Sequence, residues 1–240
     1  MKKFMALLLV AGMTLSLTAC GGSTDTAKTD QADGKDTFTV GFDQDFPPFG
    51  YVGDDGEFTG FDIEMATECA ARMGKKIVLQ PIDWDAKDME LEAGTIDCIW
   101  NGFTMNGRED QYTWTDPYMD NSQVVVVKKD SEINTLADLA GKVVEVQKES
   151  AAETALNDEE HADLMASFAQ LLSVGEYNTA FMDLESGAVD AVAIDIGVAQ
   201  FQIEGKEDQY QILDETISSE QYAVCLLYTS PSPRDPKTSR

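Results

Sequence analysis

Positive charge is scarce in this sequence. Its 17 lysine and arginine residues stand against 44 aspartate and glutamate residues, which gives a formal net charge of −27 at pH 7. A chain this acidic would be repelled by nucleic acid and by an anionic membrane surface, so neither is expected as a partner. The acidity says little about a small ligand, because most of these carboxylates should lie on a solvated surface.

Histidine and cysteine are also rare. His161 is the one histidine, and the four cysteines, Cys20, Cys69, Cys98 and Cys225, show no C-x-x-C spacing. We therefore expect no zinc site, no other metal, no thiol redox chemistry and no cofactor. Cys69 and Cys98 are typical of small buried residues. An extracytoplasmic compartment would also permit a disulfide between them, which their spacing does not indicate.

Sequence motifs of catalysis are absent as well. The chain has no G-x-S-x-G, no H-E-x-x-H and no phosphate-binding glycine loop. With 44 acidic residues, pairs of carboxylates are too common to indicate glycosidase chemistry. His161 lies in an acidic stretch with no serine or cysteine motif beside it, so the sequence favours a binding protein over an enzyme.

The first 19 residues are predicted to be an export signal. Lys2 and Lys3 precede an apolar run from residue 4 to residue 17, and this run is too short to span a bilayer comfortably. It leads into Leu17-Thr18-Ala19-Cys20, which resembles the lipobox of bacterial lipoproteins, whose cysteine is acylated. We expect lipidation at Cys20 and a flexible tether over residues 20–36, with the chain anchored on the extracytoplasmic face of the cell membrane.

Strand and helix patterns alternate along the rest of the chain. Short apolar strands such as residues 38–42 and 191–194 alternate with helical spacings such as residues 62–73 and 177–184. This alternation predicts an α/β fold of two lobes, each a mostly parallel sheet flanked by helices, with a cleft between them. The predicted boundaries are 37–122 for lobe 1, 123–219 for lobe 2 and 220–225 for the return to lobe 1.

Six segments resemble the polar amino-acid-binding proteins of ABC importers, in that family's order and spacing. They are Gly41–Phe49, Gly60–Ala66, Gly94–Asp97, Thr115–Tyr118, Leu136–Lys142 and Gly187–Asp195. The resemblance covers about residues 37–224 and implies the type II periplasmic-binding-protein fold. It also implies a receptor, expected to be monomeric, that captures a free amino acid between closing lobes and delivers it to an ABC permease.

The resemblance assigns the charged ends of the ligand. Arg108 matches the arginine that clamps the α-carboxylate, a role that suits its planar fork. Ser150, at a predicted helix start, would add its hydroxyl to that site. Asp195, at the end of a buried strand, matches the acid that takes the α-ammonium group. A surface role for Arg108 and a helix-capping role for Asp195 remain as alternatives.

Further positions match the rest of the ligand. Thr104 and the loop containing Asn101 and Gly102 offer donors or acceptors for the ammonium group. Phe46 and Trp84 match aromatics that sandwich the ligand side chain. Asp43 matches a position that reaches the far end of a cationic or amide side chain, and Trp100 is a weaker candidate for the wall, since an aromatic after an apolar strand usually lies in the core.

Three departures from the family pattern bear on the ligand. Residues 104–108 form a stretch one residue shorter than usual, which could shift Arg108. Glu149 replaces the usual glycine and adds negative charge near the carboxylate site, while Ala151 replaces a hydroxyl-bearing residue. Together with Asp43, Glu149 favours a polar or cationic side chain over an acidic one.

Two other functions remain open on this fold. Some relatives are periplasmic dehydratases acting on prephenate-like acids, so enzymatic activity is an alternative. The second alternative is the ligand-sensing lobe of a signalling receptor, which would need a transmembrane helix and a signalling domain that this sequence does not show.

The composition changes abruptly at Leu226. Pro231, Pro233 and Pro236 forbid a regular helix or central strand, and residues 226–240 resemble translated sequencing-adapter read-through. In the family, residues 219–224 are normally followed by a strand and helices that complete lobe 1. We therefore expect a truncated chain with a non-native tail over residues 226–240, an incomplete lobe 1 and an exposed apolar face on that lobe.

Overall fold

The structure is a computed structural model that describes residues 36–227. The predicted signal peptide, Cys20, nearly all of the tether and residues 228–240 lie outside this range. Within residues 36–227, no helix has both the length and the apolar character needed to cross a membrane.

Lobe 1 is built on a five-stranded sheet and comprises residues 37–118 and 223–227. Its elements are β1 (Thr37–Phe42), β2 (Asp45–Phe46), β3 (Gly50–Val52), β4 (Phe58–Thr59), α1 (Phe61–Arg72), β5 (Lys76–Pro81), a 3-10 turn (Trp84–Ala86), α2 (Lys87–Ala93), β6 (Cys98–Ile99), β7 (Tyr112–Trp114) and β14 (Cys225–Leu227). The strand order is β5-β1-β6-β14-β7, while β2, β3 and β4 form a separate small sheet.

Lobe 2 comprises residues 119–222. Its elements are β8 (Met119–Lys128), a 3-10 turn (Leu136–Leu139), β9 (Val143–Gln147), α3 (Ala151–Leu156), a 3-10 turn (Glu159–His161), α4 (Ala162–Ser167), β10 (Gln170–Val174), α5 (Tyr177–Ser186), β11 (Ala191–Asp195), α6 (Ile196–Ile203), β12 (Tyr210–Ile212) and β13 (Ser218–Tyr222). The strand order is β10-β9-β11-β8-β12, and β13 pairs with the first half of β8.

Apolar side chains cover both faces of the lobe 2 sheet. Val124 and Val126 pack into one buried cluster with residues of α5 and α6, whereas Val125 and Val127 pack into a second cluster with α3. A strand buried on both faces loses the usual alternation of apolar and polar residues. This explains why residues 124–127 form an uninterrupted run of valines.

The helices end where glycine signals predict. Gly187 follows α5 with a φ of 81°, and Gly94 follows α2 with a φ of 70°. Both angles lie in the left-handed region, which glycine adopts without a Cβ penalty.

The predicted α/β class with sheets flanked by helices is confirmed, but the sheets are mixed rather than mostly parallel. Strand β1 runs parallel to β5 and β6, and β9 runs parallel to β10 and β11. Strand β8, in contrast, is antiparallel to β11, β12 and β13, and β14 is antiparallel to β6 and β7. The chain crosses between the lobes in opposite directions in β8 and β13, and this places antiparallel pairs in both sheets.

The first two residues of the predicted tail are part of the described structure. Leu226 and Leu227 continue β14 and pair with Thr113 and Tyr112 of β7. The remainder of the predicted tail lies outside the described residues.

Candidate functional site

A small cavity lies between the two lobes. Seven of the nine predicted ligand residues line it: Phe46, Trp84, Gly102, Thr104, Arg108, Ser150 and Asp195. The walls also contain Phe103, Gln147, Glu149 and Ala151. The topology therefore brings residues that are far apart in the sequence to one place, with contributions from both lobes.

Arg108 reaches this cavity from lobe 1 and touches lobe 2. Its Nη1 donates to the carbonyl oxygen of Thr104 at 3.1 Å, and its Nη2 donates to Thr154 Oγ1 at 3.3 Å. The guanidinium lies 5.3 Å from the centre of the Phe103 ring, a cation–π distance. The shortened 104–108 stretch therefore leaves Arg108 in the cavity wall.

Strand register places a group of polar side chains at the hinge. Glu220 pairs with Asn121 between β13 and β8, and Asp195 at the end of β11 pairs with Gln123. Residues two apart on a strand share a face, so Asn121 and Gln123 project to the same side, as do Glu220 and Tyr222. We call these five residues the hinge cluster.

The hinge cluster is closely hydrogen-bonded. Asn121 Nδ2 and Gln123 Nε2 each donate to Asp195 Oδ1 and to Glu220 Oε1, all at 2.7 Å. The Tyr222 hydroxyl donates to Asp195 Oδ1 at 2.6 Å, and Thr104 Oγ1 donates to Glu220 Oε1 at 2.8 Å. Burial, followed by the nearby Glu220, raises the pKa of Asp195 to about 7.

Asp195 does not cap the following helix with its side chain. It occupies the N-cap position of α6, but its carboxylate makes no capping hydrogen bond. The side chain belongs to the hinge cluster instead, so its backbone ends the strand while its carboxylate faces the cleft.

Aromatic rings form the apolar walls. Phe46 packs against Phe49 and Tyr177 at centroid distances of 5.6 and 6.1 Å, and Trp84 meets Phe103 edge-on at 5.3 Å. A Cβ at Gly102 would lie 2.8 Å from the Phe46 ring, so this position needs glycine for the loop to approach the wall.

Trp100 is not part of the cleft wall. It packs beside Tyr118 in a lobe 1 core cluster and lines a groove along α1 with Met65, Cys69 and Met73. The core interpretation of this tryptophan is therefore the correct one.

Asp43 and Asn101 lie beside the cavity rather than in its wall. Asp43 Oδ2 accepts a 2.6 Å hydrogen bond from Gln147 Nε2, and this bond joins the lobes. The side chain of Asn101 is buried and accepts from the backbone N–H of Asp43 at 2.9 Å. Asn101 therefore positions Asp43.

Asp43 lines a larger neighbouring space that we call the acidic chamber, with a volume of about 460 Å³. Its walls carry six carboxylates: Asp43, Asp45, Asp83, Asp85, Glu90 and Glu176. Trp84 borders both spaces. Burial raises the pKa of Asp43 to about 6.

Two charge pairs cross the mouth of the cleft, and we call them the rim pairs. Lys148 Nζ lies 2.8 Å from Asp85 Oδ2, and Lys87 Nζ lies 4.0 Å from Glu149 Oε2. Lys87 is buried and also lies 5.3 Å from the Trp84 ring. The charge of Glu149, expected from sequence to stand uncompensated beside the carboxylate site, is therefore opposed by Lys87.

Several site residues escaped the sequence interpretation: Lys87, Asn121, Gln123, Gln147, Glu220 and Tyr222. Asn121 and Gln123 carried a usable signal, because polar residues at alternate positions immediately before four buried valines are unusual in a strand. Glu220 carried none, since it is one acid among many in the sequence.

Comparison with known proteins decides the family. Residues 38–184 match the bacterial extracellular solute-binding proteins, family 3. The chain belongs to this family. Its members bind solutes outside the cytoplasm, so the predictions of an extracytoplasmic binding protein rather than an enzyme are confirmed.

Three relatives illustrate the similarity. The L-cystine-binding protein TcyJ of Escherichia coli is 30% identical over 225 residues, which cover 92% of this chain and 80% of the relative. The arginine-binding extracellular protein ArtP of Bacillus subtilis is 36% identical over 61% of this chain and 56% of the relative. An ABC uptake transporter substrate-binding protein from Streptococcus pneumoniae with bound histidine has a TM-score of 0.76 and 33% identity, with 80% of each chain covered.

Proposed function

We propose that this protein is the receptor of an ABC importer and that it captures a free amino acid with a polar or cationic side chain. The observation that carries the proposal is that Arg108 from lobe 1 and Asp195 from lobe 2 line one cavity. A free α-amino acid carries one negative and one positive group, and this cavity offers a partner for each.

The α-carboxylate is assigned to Arg108. Its guanidinium projects from the cavity wall and has five N–H donors in a fork that matches a carboxylate. Ser150 forms the opposing wall, with its hydroxyl oxygen accepting from the backbone N–H of Glu153. The α-ammonium group is assigned to Asp195, with Thr104 and Gly102 in the adjacent wall.

The side chain of the ligand is assigned to the space between Phe46 and Trp84, pointing toward the acidic chamber. The six carboxylates there would repel an acidic side chain and attract a cationic one. Asp43 is the carboxylate of that chamber that hydrogen-bonds to the cavity wall, through Gln147. The relatives named for arginine, histidine and cystine support this ligand class.

Membrane anchoring and delivery complete the proposal. Lipid attached to Cys20 would hold the receptor at the outer face of the membrane, next to the ABC permease that receives the amino acid. The support is the Leu17-Thr18-Ala19-Cys20 motif in the sequence. Mass spectrometry of the membrane fraction should find acyl chains on Cys20, and a Cys20→Ala variant should be released.

A thermal-shift screen of the purified protein against the common amino acids and cystine tests the ligand class. An amino acid present at about 100 times its dissociation constant should stabilise the fold by about 2.7 kcal/mol. We expect arginine, lysine, histidine, glutamine or cystine to give the largest shift. Tighter binding of glutamate or aspartate would reject the assignment of the side chain to the acidic chamber.

A further inference from the structure

We propose that Glu220 is a second carboxylate for the α-ammonium group of the ligand, acting beside Asp195 in the hinge cluster. This inference rests on the proposed function, because it assigns a specificity-determining residue within the same amino-acid site. Five observations support it: the shared donors of the two acids, their burial, the absence of an ion-paired lysine or arginine among residues 36–227, the two carboxylate oxygens without a donor, and the orientation of Thr104.

The two carboxylates are close neighbours. Asn121 Nδ2 lies 2.7 Å from both Asp195 Oδ1 and Glu220 Oε1, and Gln123 Nε2 repeats the same pair of distances. Each carboxamide thus divides its two hydrogens between the acids. The hinge strands therefore hold two negative groups around one point. Asp195 lines the ligand cavity, and Glu220 lies next to that lining, hydrogen-bonded to the cavity-lining Thr104.

Neutral donors surround this pair. Asp195 is 4% exposed and Glu220 is 7% exposed, and among residues 36–227 no lysine or arginine forms an ion pair with either. Amide and hydroxyl donors relieve the desolvation of a carboxylate but do not cancel its charge. Two buried carboxylates without a cation are unfavourable unless a positive group arrives or one acid takes up a proton.

Two oxygen atoms remain for such a group. No donor in the described part of the chain bonds to Asp195 Oδ2 or to Glu220 Oε2. The other oxygen of each carboxylate, Asp195 Oδ1 and Glu220 Oε1, accepts three hydrogen bonds. Both side chains are more than nine-tenths buried, and Asp195 lines the cavity.

Thr104 supplies the third acceptor. Its hydroxyl proton is donated to Glu220 Oε1 at 2.8 Å, so its oxygen lone pairs are left to accept. Thr104 also lines the cavity. An ammonium group has three N–H donors, and here it would meet Asp195, Glu220 and Thr104, which come from lobe 2, the hinge strand β13 and lobe 1.

The test compares two probes that differ in the ammonium group alone. L-Arginine and 5-guanidinopentanoic acid share the carboxylate and guanidinium ends, but the second molecule lacks the α-amino group. Their dissociation constants are measured by calorimetry for the unmodified protein, for Glu220→Gln and for a matched control, Glu215→Gln, which removes an acid in a loop of lobe 2.

We expect Glu220→Gln to weaken L-arginine binding by about 10- to 100-fold, the effect of losing one charge-assisted hydrogen bond. Binding of 5-guanidinopentanoic acid should change by less than about twofold, and Glu215→Gln should leave both constants unchanged. A Glu220→Asp variant retains the charge at a shorter reach, so it should show a smaller loss that is also confined to L-arginine. It carries the same test if Glu220→Gln fails to fold.

Equal weakening of both probes would show a structural role for Glu220 and would overturn the inference, as would unchanged binding of L-arginine. An unmodified protein that binds another amino acid is tested with that amino acid and its deamino counterpart. If the unmodified protein binds no amino acid, the proposed function fails and this inference fails with it. If the unmodified protein binds an amino acid but Glu220→Gln does not selectively weaken that binding, this inference fails and the proposed function is unaffected.

Discussion

The two ends of the cleft differ in how their charged side chains are partnered. At the rim, Asp85 faces Lys148 and Glu149 faces Lys87, so each charge has an opposite charge from the other lobe. At the hinge, Asp195 and Glu220 are buried side by side and receive hydrogen bonds from neutral amides and hydroxyls. Each rim pair joins opposite charges, whereas among residues 36–227 no lysine or arginine forms an ion pair with the two hinge carboxylates.

This difference separates the contacts that favour closure of the lobes from the contacts that recognise the ligand. The rim pairs can form whenever the lobes meet, so they favour the closed arrangement whichever ligand lies inside. In the proposed function, the hinge cluster would gain a positive charge from the ammonium group of the ligand. Selectivity should therefore depend on the buried end of the cleft, and salt sensitivity on its exposed end.

The largest effect should come from the cation that opposes the hinge cluster across the cavity. Arg108→Ala should weaken binding of the identified amino acid by about 2–5 kcal/mol, because a desolvated carboxylate loses its bidentate partner. Arg108→Lys should recover part of that loss, since a lysine cannot reproduce the planar fork. Calorimetry measures both.

Arg72→Ala is the matched control, because Arg72 pairs with Glu68 on the exposed face of α1, away from the cleft. It should leave affinity unchanged. Arg108→Ala binding as tightly as the parent protein would remove Arg108 from the site.

A fall in pH should weaken ligand binding by protonating the hinge cluster, not the rim pairs. The pKa of Asp195 is raised to about 7, so below that pH a ligand ammonium group must displace a proton. Affinity for L-arginine should fall by up to about tenfold per pH unit between pH 7 and 5, where the charges of L-arginine itself are fixed. Identical dissociation constants at about pH 8 and pH 5.5 would contradict this.

Other titratable groups in or near the cluster are Tyr177, Tyr222 and Asp43. Burial raises the pKa of Tyr177 and of Tyr222 well above their ordinary values, so both stay neutral in this range. Asp43, with a pKa of about 6, titrates in the same window but faces the acidic chamber. An Asp43→Asn variant should therefore retain most of the acid-induced loss.

The same pKa shift has the opposite sign for folding of the unliganded protein. A carboxyl group whose pKa rises from 3.8 in the unfolded chain to about 7 in the fold contributes stability that is full below pH 3.8 and is lost as the pH rises through 7. Asp62, whose pKa is also raised to about 7 by burial, adds to this trend. The melting temperature without ligand should therefore fall from about pH 4 to pH 7, while ligand affinity rises.

The sequence predicted the rim less well than the hinge, and neither completely. Continuous apolar runs located strands β8 and β11, and helical periodicity located α5, because burial imposes these patterns directly. Arg108 and Asp195 were found through a family resemblance. Lys87 was missed because partnering across a cleft depends on lobe orientation, which no local pattern records. Glu220 was missed because only the β8–β13 register brings it beside Asp195.

A substitution at Glu149 tests whether its side chain or its backbone conformation has the larger effect on stability at the rim. Its φ of 60° is in the left-handed region, where residues with a Cβ are strained. Glu149→Gly should relieve about 1 kcal/mol of strain, against the loss of a 4.0 Å contact from a carboxylate that is 57% exposed. We expect a small rise in melting temperature and little change in affinity. A clear fall in both would show that the contact with Lys87 outweighs the strain.

A modest effect on ligand affinity should come from the pair of Asp85 and Lys148. Both side chains are partly exposed, at 40% and 55%, so water and salt screen their attraction even though the contact is 2.8 Å. Asp85→Asn, Lys148→Met and the double variant form a cycle, in which we expect the coupling to change ligand affinity by about two- to fivefold and to vanish at about 1 M salt.

The pair of Arg72 and Glu68 supplies the matched cycle, since it has the same 2.8 Å contact but lies within a single helix of lobe 1. Closure of the lobes does not change the distance within that pair. Substitutions of Arg72 and Glu68 should therefore leave ligand affinity unchanged, singly and together, at any salt concentration. If the two cycles give the same result, the rim pairs do not stabilise the closed state. Closure would then depend on the ligand itself and on hydrogen bonds between the lobes, which join Asp43 to Gln147, Asp45 to Asn178 and Arg108 to Thr154.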